Sequence, residues 1–237
     1  MSRKSTSLRT PTRRRTALLA LATATVAGAV AAVALANVVV YRNDFSTRAE
    51  VRELTKSGGK KCKRKQVGKR KNSALKVTVT RGPATCSFRP PVAGDRAAPD
   101  HDVRAFAKIT KASAKAVRRS AFLSLEVRLG GGGGYELRVV PKSKRFHLTR
   151  RPNGDGFPVR GRSDAVNRIG KRNKLRLVAF GARVRAYVNG RRVAAVSDPN
   201  PDQVSGTRLR FGIGHERRTG KNLIARFARV SIAVPDP

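Results

Sequence analysis

The sequence predicts an all-β sandwich, and three observations carry that prediction. About a dozen short runs of alternating residues follow one another with turn signals between them, the pattern of an antiparallel sandwich. The clearest of them lie between Lys174 and Asp198, where Phe180-Gly181 and Asn189-Gly190 separate three runs. No segment repeats at a period of about 20 to 50 residues, which disfavours a propeller or a solenoid.

The stretch from Lys174 to Asp198 predicts a β-meander. Leu175 and Leu177 face one side of the first run while Arg176 faces the other, which is the period of two of a half-buried strand. Asn189-Gly190 favours the two positive φ angles of a type I′ turn, so the second hairpin is well defined.

The other elements follow from the same alternation. Glu50 to Leu54 is a short alternating run, Ser113 to Arg119 is the one stretch that could hold a helical turn, and Gly130 to Gly134 predicts a flexible hairpin loop. The remaining predicted strands are 74–80 and 85–88 around Gly82-Pro83, 102–111, 121–129, 135–140, 145–150, 208–213 and 223–234.

One motif carries a resemblance to a known superfamily. The run Val184-x-Ala186-Tyr187-Val188-Asn189-Gly190, followed by Val193 and Asp198, resembles a hairpin of the concanavalin A-like lectin/glucanase and laminin G-like jelly rolls. The Asn43-Asp44-Phe45 opening and the closing strand at 225–234 resemble the same group. The resemblance spans residues 41–237 and implies a jelly-roll β-sandwich. It leaves activity and ligand open, because that superfamily contains enzymes, lectins and adhesion modules.

The first 41 residues indicate export. Residues 1–16 carry six basic and no acidic residues, and the twenty residues from Ala17 to Ala36 carry no charge. Twenty helical residues reach about 30 Å, the thickness of the bilayer hydrocarbon, and the basic flank places the N-terminus in the cytoplasm. We therefore expect a basic cytoplasmic segment (1–16), a signal-anchor transmembrane helix (17–41) and an extracytoplasmic sandwich (42–237).

Two other readings of this segment stay open. Ala34-Leu35-Ala36 has the small-x-small form of a signal-peptidase site, which would release a secreted protein. Arg14-Arg15 is compatible with a twin-arginine signal. The apolar run continues through Val38 to Val40 and is longer than a usual signal peptide, which favours the uncleaved anchor. The expected location is the cell membrane, single-pass with the C-terminal domain outside, and the alternative is secretion.

The charge of the chain predicts polyanionic partners. Lys and Arg total 53 against 14 acidic residues, a net charge of +39 that is spread over the whole chain. Residues 60–71 place eight basic residues among twelve, either as a solvated loop or as a contact with an anionic surface. We expect an anionic cell-envelope polysaccharide or an anionic lipid surface as partner. Nucleic acid would bind only non-specifically, since aromatic interleaving and a recognition helix are lacking.

The two cysteines predict a disulfide. Cys62 and Cys86 are the only cysteines, and an even pair in an exported protein is usually oxidised. His101, His147 and His215 lie far apart without zinc-ligand spacing, so no zinc site is expected.

No catalytic residue is predicted. Laminarinase-type relatives place carboxylates in the pattern Glu-x-Asp-x-x-Glu, about 5 Å apart. Here Arg128 and Arg138 stand two positions after Glu126 and Glu136, and neither glutamate has an acidic strand neighbour. The sequence therefore favours ion-paired surface carboxylates.

No metal site or other cofactor is predicted either, although calcium remains open. Asp198-Pro199-Asn200-Pro201-Asp202 has alternating oxygen ligands but lacks the glycine and glutamate of an EF-hand loop. A proline-stiffened turn is favoured.

The sequence as a whole predicts an exported, membrane-anchored binding module for an anionic or carbohydrate cell-envelope polymer. The alternatives are a glycan-cleaving hydrolase of the same fold and a non-specific nucleic-acid-binding basic protein. Arginine pairs phosphate or carboxylate bidentately, and tyrosine stacks on sugar rings. The predicted ligand-binding residues are Arg128, Arg138, Arg176, Arg185, Tyr187, Asn189 and Arg210.

Overall fold

The computed structural model describes residues 37–58, 61–69, 72–92, 100–130, 133–151 and 156–235. Within these residues the chain forms thirteen β-strands and a few short helices, so the predicted all-β sandwich is confirmed. The strands are β1 (Asn37–Asn43), β2 (Thr55–Ser57), β3 (Cys62–Val67), β4 (Ala74–Arg89), β5 (His101–Ile109), β6 (Ala121–Gly130), β7 (Gly133–Val140), β8 (Arg145–Arg151), β9 (Val159–Arg162), β10 (Asn173–Phe180), β11 (Arg183–Val188), β12 (Arg191–Ser197) and β13 (Arg208–Pro235). The helices are α1 (Arg48–Arg52), α2 (Lys115–Arg118) and a 3-10 turn (Pro201–Val204).

Two antiparallel sheets share the long strands β4 and β13. Sheet 1 has the order β12, β11, β10, β5, β13, β4, β3, with β1 next to β13 as well. Sheet 2 has the order β9, β8, β7, β6, β13, β4, β2. Residues 222–227 of β13 pair with residues 75–80 of β4 in sheet 1, and residues 211–215 pair with residues 84–88 in sheet 2. Alternation alone predicts two shorter strands in each of these stretches, whereas the structure joins each pair into one strand.

Alternating apolar side chains fill the space between the sheets. Leu175 and Leu177 of β10 are buried, as are Val184 and Ala186 of β11, while their chain neighbours point outward. The predicted meander of β10, β11 and β12 is therefore confirmed. Asn189 and Gly190 have φ values of 52° and 86° at its second turn.

An aromatic cluster fills the core beside the shared strands. The ring of Phe211 in β13 lies 5.0 Å from that of Phe227 and 5.7 Å from that of Phe88 in β4. Phe45, which opens the sandwich after β1, lies 6.3 Å from Phe211. These rings bury large apolar areas and so stabilise the pairing of β4 with β13.

The first strand corrects the predicted boundary of the N-terminal segment. By sequence, residues 37–41 belong to the transmembrane helix at 17–41, but in the structure they begin β1, which pairs with the end of β13. Three β-branched residues, Val38 to Val40, suit a strand. Residues 1–36, which hold the rest of the predicted segment, lie outside the described residues. In the described part of the chain, no helix has the length and apolar character needed to cross a bilayer.

The segment after β1 also differs from its prediction, because residues 48–52 form a helix rather than a short strand. The Glu50 backbone N–H donates to the Thr47 hydroxyl at 3.2 Å, and the Thr47 N–H donates to the Glu50 carboxylate at 2.9 Å. This reciprocal capping box starts α1. The predicted helical turn at 113–119 contains α2.

The predicted disulfide is confirmed, and it joins the two sheets. Cys62 lies in β3 opposite Val79 of sheet 1, whereas Cys86 lies opposite Ile213 in sheet 2. Their Cα atoms are 5.4 Å apart, and both residues are buried in the core. The bond also fixes the start of the basic hairpin β3–β4 to the body of the sandwich.

Replacing Cys86 with Ser removes this cross-link. We expect the thermal midpoint to fall by about 5 to 10 °C. The fall should be larger at low salt, because repulsion within a chain of net charge +39 is then less screened. Scanning calorimetry at two salt concentrations measures both effects. Cys62→Ser and the double variant should match Cys86→Ser, since all three remove one bond. Two alkylatable thiols in the native protein, detected by mass spectrometry, would contradict the disulfide.

Candidate functional site

The residues predicted to bind ligand lie on two different faces of the sandwich. Arg176, Arg185 and Tyr187 point outward from sheet 1, and Arg138 and Arg210 point outward from sheet 2. The two sheets pack through their inner faces, so these groups cannot form a single site. We therefore treat the two outer faces separately.

The side chains of Arg128 and Asn189 form their polar contacts with other residues of the domain. The Arg128 side chain is 4% exposed, and its guanidinium forms an ion pair with Asp100 at 2.5 Å. Asn189 accepts a hydrogen bond from the Lys174 backbone N–H at 2.7 Å and donates to the Ala165 carbonyl at 2.6 Å. Arg128 thus ties β6 to the start of β5, and Asn189 holds the end of the meander. We leave both out of the contact surfaces considered below.

The outer face of sheet 1 is strongly cationic. Its strands alternate apolar residues that face the core with basic residues that face outward. The described strands of this sheet carry two acidic residues, Asp102 and Glu216, and Glu216 of β13 lies beside Arg138 of sheet 2. We call the outer face of sheet 1 the basic face. Its cationic side chains include Arg104, Lys108, Lys174, Arg176, Arg183, Arg185, Arg192, Arg226 and Arg229.

Asp102 organises the centre of the basic face. Arg176 of β10 stands directly opposite Arg104 of β5, and the carboxylate of Asp102 lies between their guanidinium groups. Arg104 donates to the two oxygens of Asp102 at 3.2 and 2.6 Å, and Arg176 donates to the same oxygens at 2.9 and 2.8 Å. One carboxylate therefore fixes two arginines bidentately.

The ionisation of Asp102 follows from these contacts. The residue is 4% exposed, and this burial on its own would raise the pKa of its carboxyl. The hydrogen bonds from Arg104 and Arg176 outweigh burial and hold the pKa below its ordinary value. Asp102 therefore stays charged at neutral pH. The side chains of Arg104 and Arg176 remain 38% and 34% exposed.

Aromatic rings lie among these cations. The guanidinium of Arg176 lies 5.1 Å from the ring centre of Tyr187, its partner across β10 and β11. The Lys174 ammonium lies 5.5 Å from the ring of Phe106. Cation–π contact holds both pairs. Both rings are partly exposed, so the basic face offers a planar surface beside its positive charges.

The outer face of sheet 2 brings together two carboxylates. Glu126 of β6 stands directly opposite Glu136 of β7, and Arg210 of β13 stands opposite Glu126 on its other side. This corrects the sequence interpretation that neither glutamate has an acidic neighbour. The pattern along one strand cannot reveal a partner that only the register of the next strand supplies.

The two glutamates differ in their contacts. Glu136 accepts from Arg138 at 2.7 Å and from Arg151 at 2.8 Å, as predicted for an ion-paired carboxylate. Glu126 has no hydrogen-bond or ion-pair partner among the described residues. Burial, together with the negative charge of Glu136, raises the pKa of Glu126 despite the nearby arginines.

A cavity of about 140 Å³ opens beside Glu126. Its wall contains both glutamates, three arginines and the glycines at the ends of β6 and β7. The residues lining it are Glu126, Leu129, Gly130, Gly133, Gly134, Tyr135, Glu136, Arg151, Arg208 and Arg210.

Two further cavities adjoin at one end of the sandwich, near α2. Their volumes are about 430 and 530 Å³, and they share Lys142 and Ile169. Among the described residues, no acidic side chain lines either cavity. The cationic residues that line them are Lys115, Arg118, Arg119, Lys142, Lys144, Arg162 and Arg168.

Protein contacts hold the turn at residues 198–202, whose oxygen-bearing side chains suggested a possible calcium site in the sequence. The carboxylate of Asp198 accepts from Arg150 at 2.7 Å, from Tyr135 at 2.5 Å and from the Asn200 backbone N–H at 2.9 Å. Asp198 is 1% exposed. Within the described residues, no group of three or more His, Cys, Asp or Glu side chains is placed to hold a metal ion.

Comparison with solved structures confirms the concanavalin A-like jelly-roll fold. A Bacillus subtilis protein of unknown function with a galectin-like fold superposes with a TM-score of 0.57 at 12% identity, over 84% of this chain and 97% of that one. A family 16 glycoside hydrolase of Bacteroides ovatus, solved with a glucan product, gives 0.57 at 9% identity over 81% and 99%. A laminarinase from Flavobacterium sp. gives 0.55 at 9% identity over 82% and 99%. No protein-family model and no curated protein matches the sequence.

Proposed function

We propose that this chain is a carbohydrate-binding β-sandwich that binds an acidic polysaccharide through the basic face. The observation that carries the proposal is the pair Arg104 and Arg176, fixed by Asp102 beside the ring of Tyr187. The fold is consistent with it, because solved structures of the same fold include enzymes that act on glucans.

The geometry of the basic face suits a regularly charged polymer. Outward residues recur about every 7 Å along a strand, and neighbouring strands lie about 4.8 Å apart. The guanidinium groups of Arg104, Arg176 and Arg185 thus form a grid on which successive carboxylates of a polysaccharide can pair. Planar guanidinium groups bind carboxylates bidentately.

Preorganisation strengthens this surface. A flexible arginine loses side-chain entropy when it binds a ligand. Arg104 and Arg176 are already ordered, because Asp102 holds each of them by two hydrogen bonds. Their remaining N–H groups can therefore bind a polymer with little further loss of side-chain entropy.

The surface favours an acidic sugar over the other polyanions that charge alone would attract. Tyr187 provides an apolar ring face of the kind on which pyranose rings stack. An anionic lipid surface offers no such ring. The two described α-helices contain five and four residues, which is too short for a helix that reads nucleic acid in a groove.

The carboxylate pair on sheet 2 favours binding over hydrolysis as the function. A glycan-cleaving enzyme needs one carboxylate as nucleophile or base and the other as acid. Both oxygens of Glu136 are held by arginines, Oε1 by Arg138 and Oε2 by Arg151. A nucleophilic attack by Glu136 would therefore have to break one of these ion pairs.

Removing the two arginines of the meander tests the basic face. We expect Arg176→Ala with Arg185→Ala to weaken binding to polygalacturonate by at least about tenfold, because each arginine forms charge-assisted hydrogen bonds to carboxylates. Calorimetric titration of the full chain at physiological salt measures the affinity.

The matched control removes the same charge elsewhere. Arg48→Ala with Arg52→Ala takes two exposed cations from α1, and the affinity should change by less than about twofold. Equal losses in the two double variants would mean that net charge alone attracts the polymer, and would contradict the basic face as a site.

The same proposal places the sandwich outside the cytoplasm, anchored by a helix within residues 17–36. Its supports are the twenty uncharged residues from Ala17 to Ala36 behind a basic flank, and a buried disulfide of the kind that forms in oxidising compartments. A membrane-spanning helix here can extend no further than residue 36, because β1 begins at Asn37.

Cell fractionation and N-terminal sequencing of the native protein test the location. An anchored chain should be found in the membrane fraction with residues 1–16 still attached. A mature chain beginning at Asn37 in the medium would establish the secreted alternative. Recovery of the intact chain in the cytosol with two free thiols would contradict export.

A further inference from the structure

Glu126 is a buried carboxylate that the basic face does not use. It is 7% exposed, lines the cavity of about 140 Å³ on sheet 2, and has no hydrogen-bond or ion-pair partner among the described residues. No hydrogen-bond donor among the described residues satisfies its carboxylate oxygens, which stay open to the cavity, so a ligand that donates hydrogen bonds can bind them directly. Such a carboxylate is conspicuous in a chain with so many arginines, and it indicates a site that a ligand completes.

The cavity wall is held in place before any ligand arrives. Arg150 donates to Asp198 at 2.7 Å, to the Asn200 carbonyl at 3.0 Å and to the Gln203 side chain at 2.8 Å, which fixes the 3-10 turn against β8. A side chain at Gly206 would overlap the backbone of Leu129, so glycine is required for this loop to pack against the end of β6. The site is therefore preorganised.

The charges around the cavity select the ligand. Arg151, Arg208 and Arg210 line it, so a metal cation would be repelled. The negative charge of Glu136, with that of Glu126 when ionised, disfavours a dianion such as phosphate. Arg208 and Arg210 can pair with a singly charged carboxylate, and Glu126 can accept hydrogen bonds from hydroxyl groups. A molecule with one carboxylate and neighbouring hydroxyl groups can form both sets of contacts.

The volume restricts the size of that ligand. A cavity of about 140 Å³ that is open to solvent on one side encloses only part of a sugar ring. It admits the carboxylate-bearing edge of one ring and excludes a folded oligomer. The raised pKa of Glu126 also reduces the negative charge that an acidic ligand meets there.

We infer that this cavity is a second binding site, which takes a single uronic-acid residue. The sugar carboxylate pairs with Arg208 and Arg210, and its neighbouring hydroxyl groups donate to Glu126. The choice of an acidic sugar agrees with the function proposed above, but the site lies on the opposite sheet and shares no residue with the basic face.

Titration of the full chain with D-glucuronate tests this site, with D-glucose and acetate as the two partial ligands. NMR shifts of the backbone amides of Gly130, Gly133 and Gly134 report the location. We expect glucuronate to bind at least about tenfold more tightly than either partial ligand, because only glucuronate satisfies both the arginines and Glu126.

Variants separate the two contacts. Arg210→Gln should weaken glucuronate by about tenfold and leave glucose unchanged, whereas Glu126→Ala should weaken both sugars. Glu126→Met keeps a similar side-chain volume but removes both oxygen acceptors, and it replaces the alanine variant if the thermal midpoint shows that the alanine variant does not fold. Glu53→Gln is the matched control. It removes an exposed glutamate directly after α1, outside the cavity lining, and should leave the affinity for glucuronate unchanged.

The inference is overturned if glucuronate binds no more tightly than acetate. It is overturned equally if folded Glu126→Ala or Glu126→Met binds glucuronate like the unmodified chain, or if the shifted amides lie on sheet 1. None of these results bears on polygalacturonate binding by the basic face, which the double arginine variant tests separately.

Discussion

The antiparallel pairing of β4 with β13 is the interaction on which the sandwich depends. The two strands run through both sheets, and the rings of Phe88, Phe211 and Phe227 pack beside them in the core. The disulfide at Cys86 attaches β3 to the same ladder. The other strands of both sheets pair with β4 or β13 directly or through the strands next to them. Its register therefore sets both outer faces, and a slip of one residue would turn their arginines into the core.

Acidic residues are few in this chain, and three of the four buried ones in its described part position basic partners. A chain of net charge +39 repels itself, and buried ion pairs stabilise a fold only when their geometry is good. Two of the pairs that meet this condition lie within one strand, Asp102 with Arg104 and Glu136 with Arg138, and the others join segments at least 15 residues apart. The pairs are Asp100 with Arg128, Asp102 with Arg104 and Arg176, Glu136 with Arg138 and Arg151, and Asp198 with Arg150. Glu126, which holds no cation, stands out against this pattern.

The cysteine count and the expected export predicted the disulfide. Local patterns in the sequence were sufficient for β5 to β8, the meander and the Asn189-Gly190 turn, since alternation and turn chemistry act over a few residues, but they missed β1, β2, β3 and β9. They were insufficient where a distant partner decides the outcome. Glu126 faces Glu136 only because of the register between β6 and β7. Asp102 stands out only once β5 lies beside β10. The capping box of Thr47 and Glu50 was a local signal of α1 that the alternating run obscured.

Replacing Asp102 with Asn tests most directly whether ordered arginines, rather than charge, bind the polysaccharide. The change raises the net charge from +39 by one unit and leaves every arginine in place, but it frees Arg104 and Arg176 from their shared carboxylate. Attraction by charge alone would strengthen binding to polygalacturonate. If ordered arginines bind the polymer, the folded Asp102→Asn variant binds about fivefold more weakly, because two arginines lose their ordering. Unchanged or tighter binding in calorimetric titration would contradict this prediction.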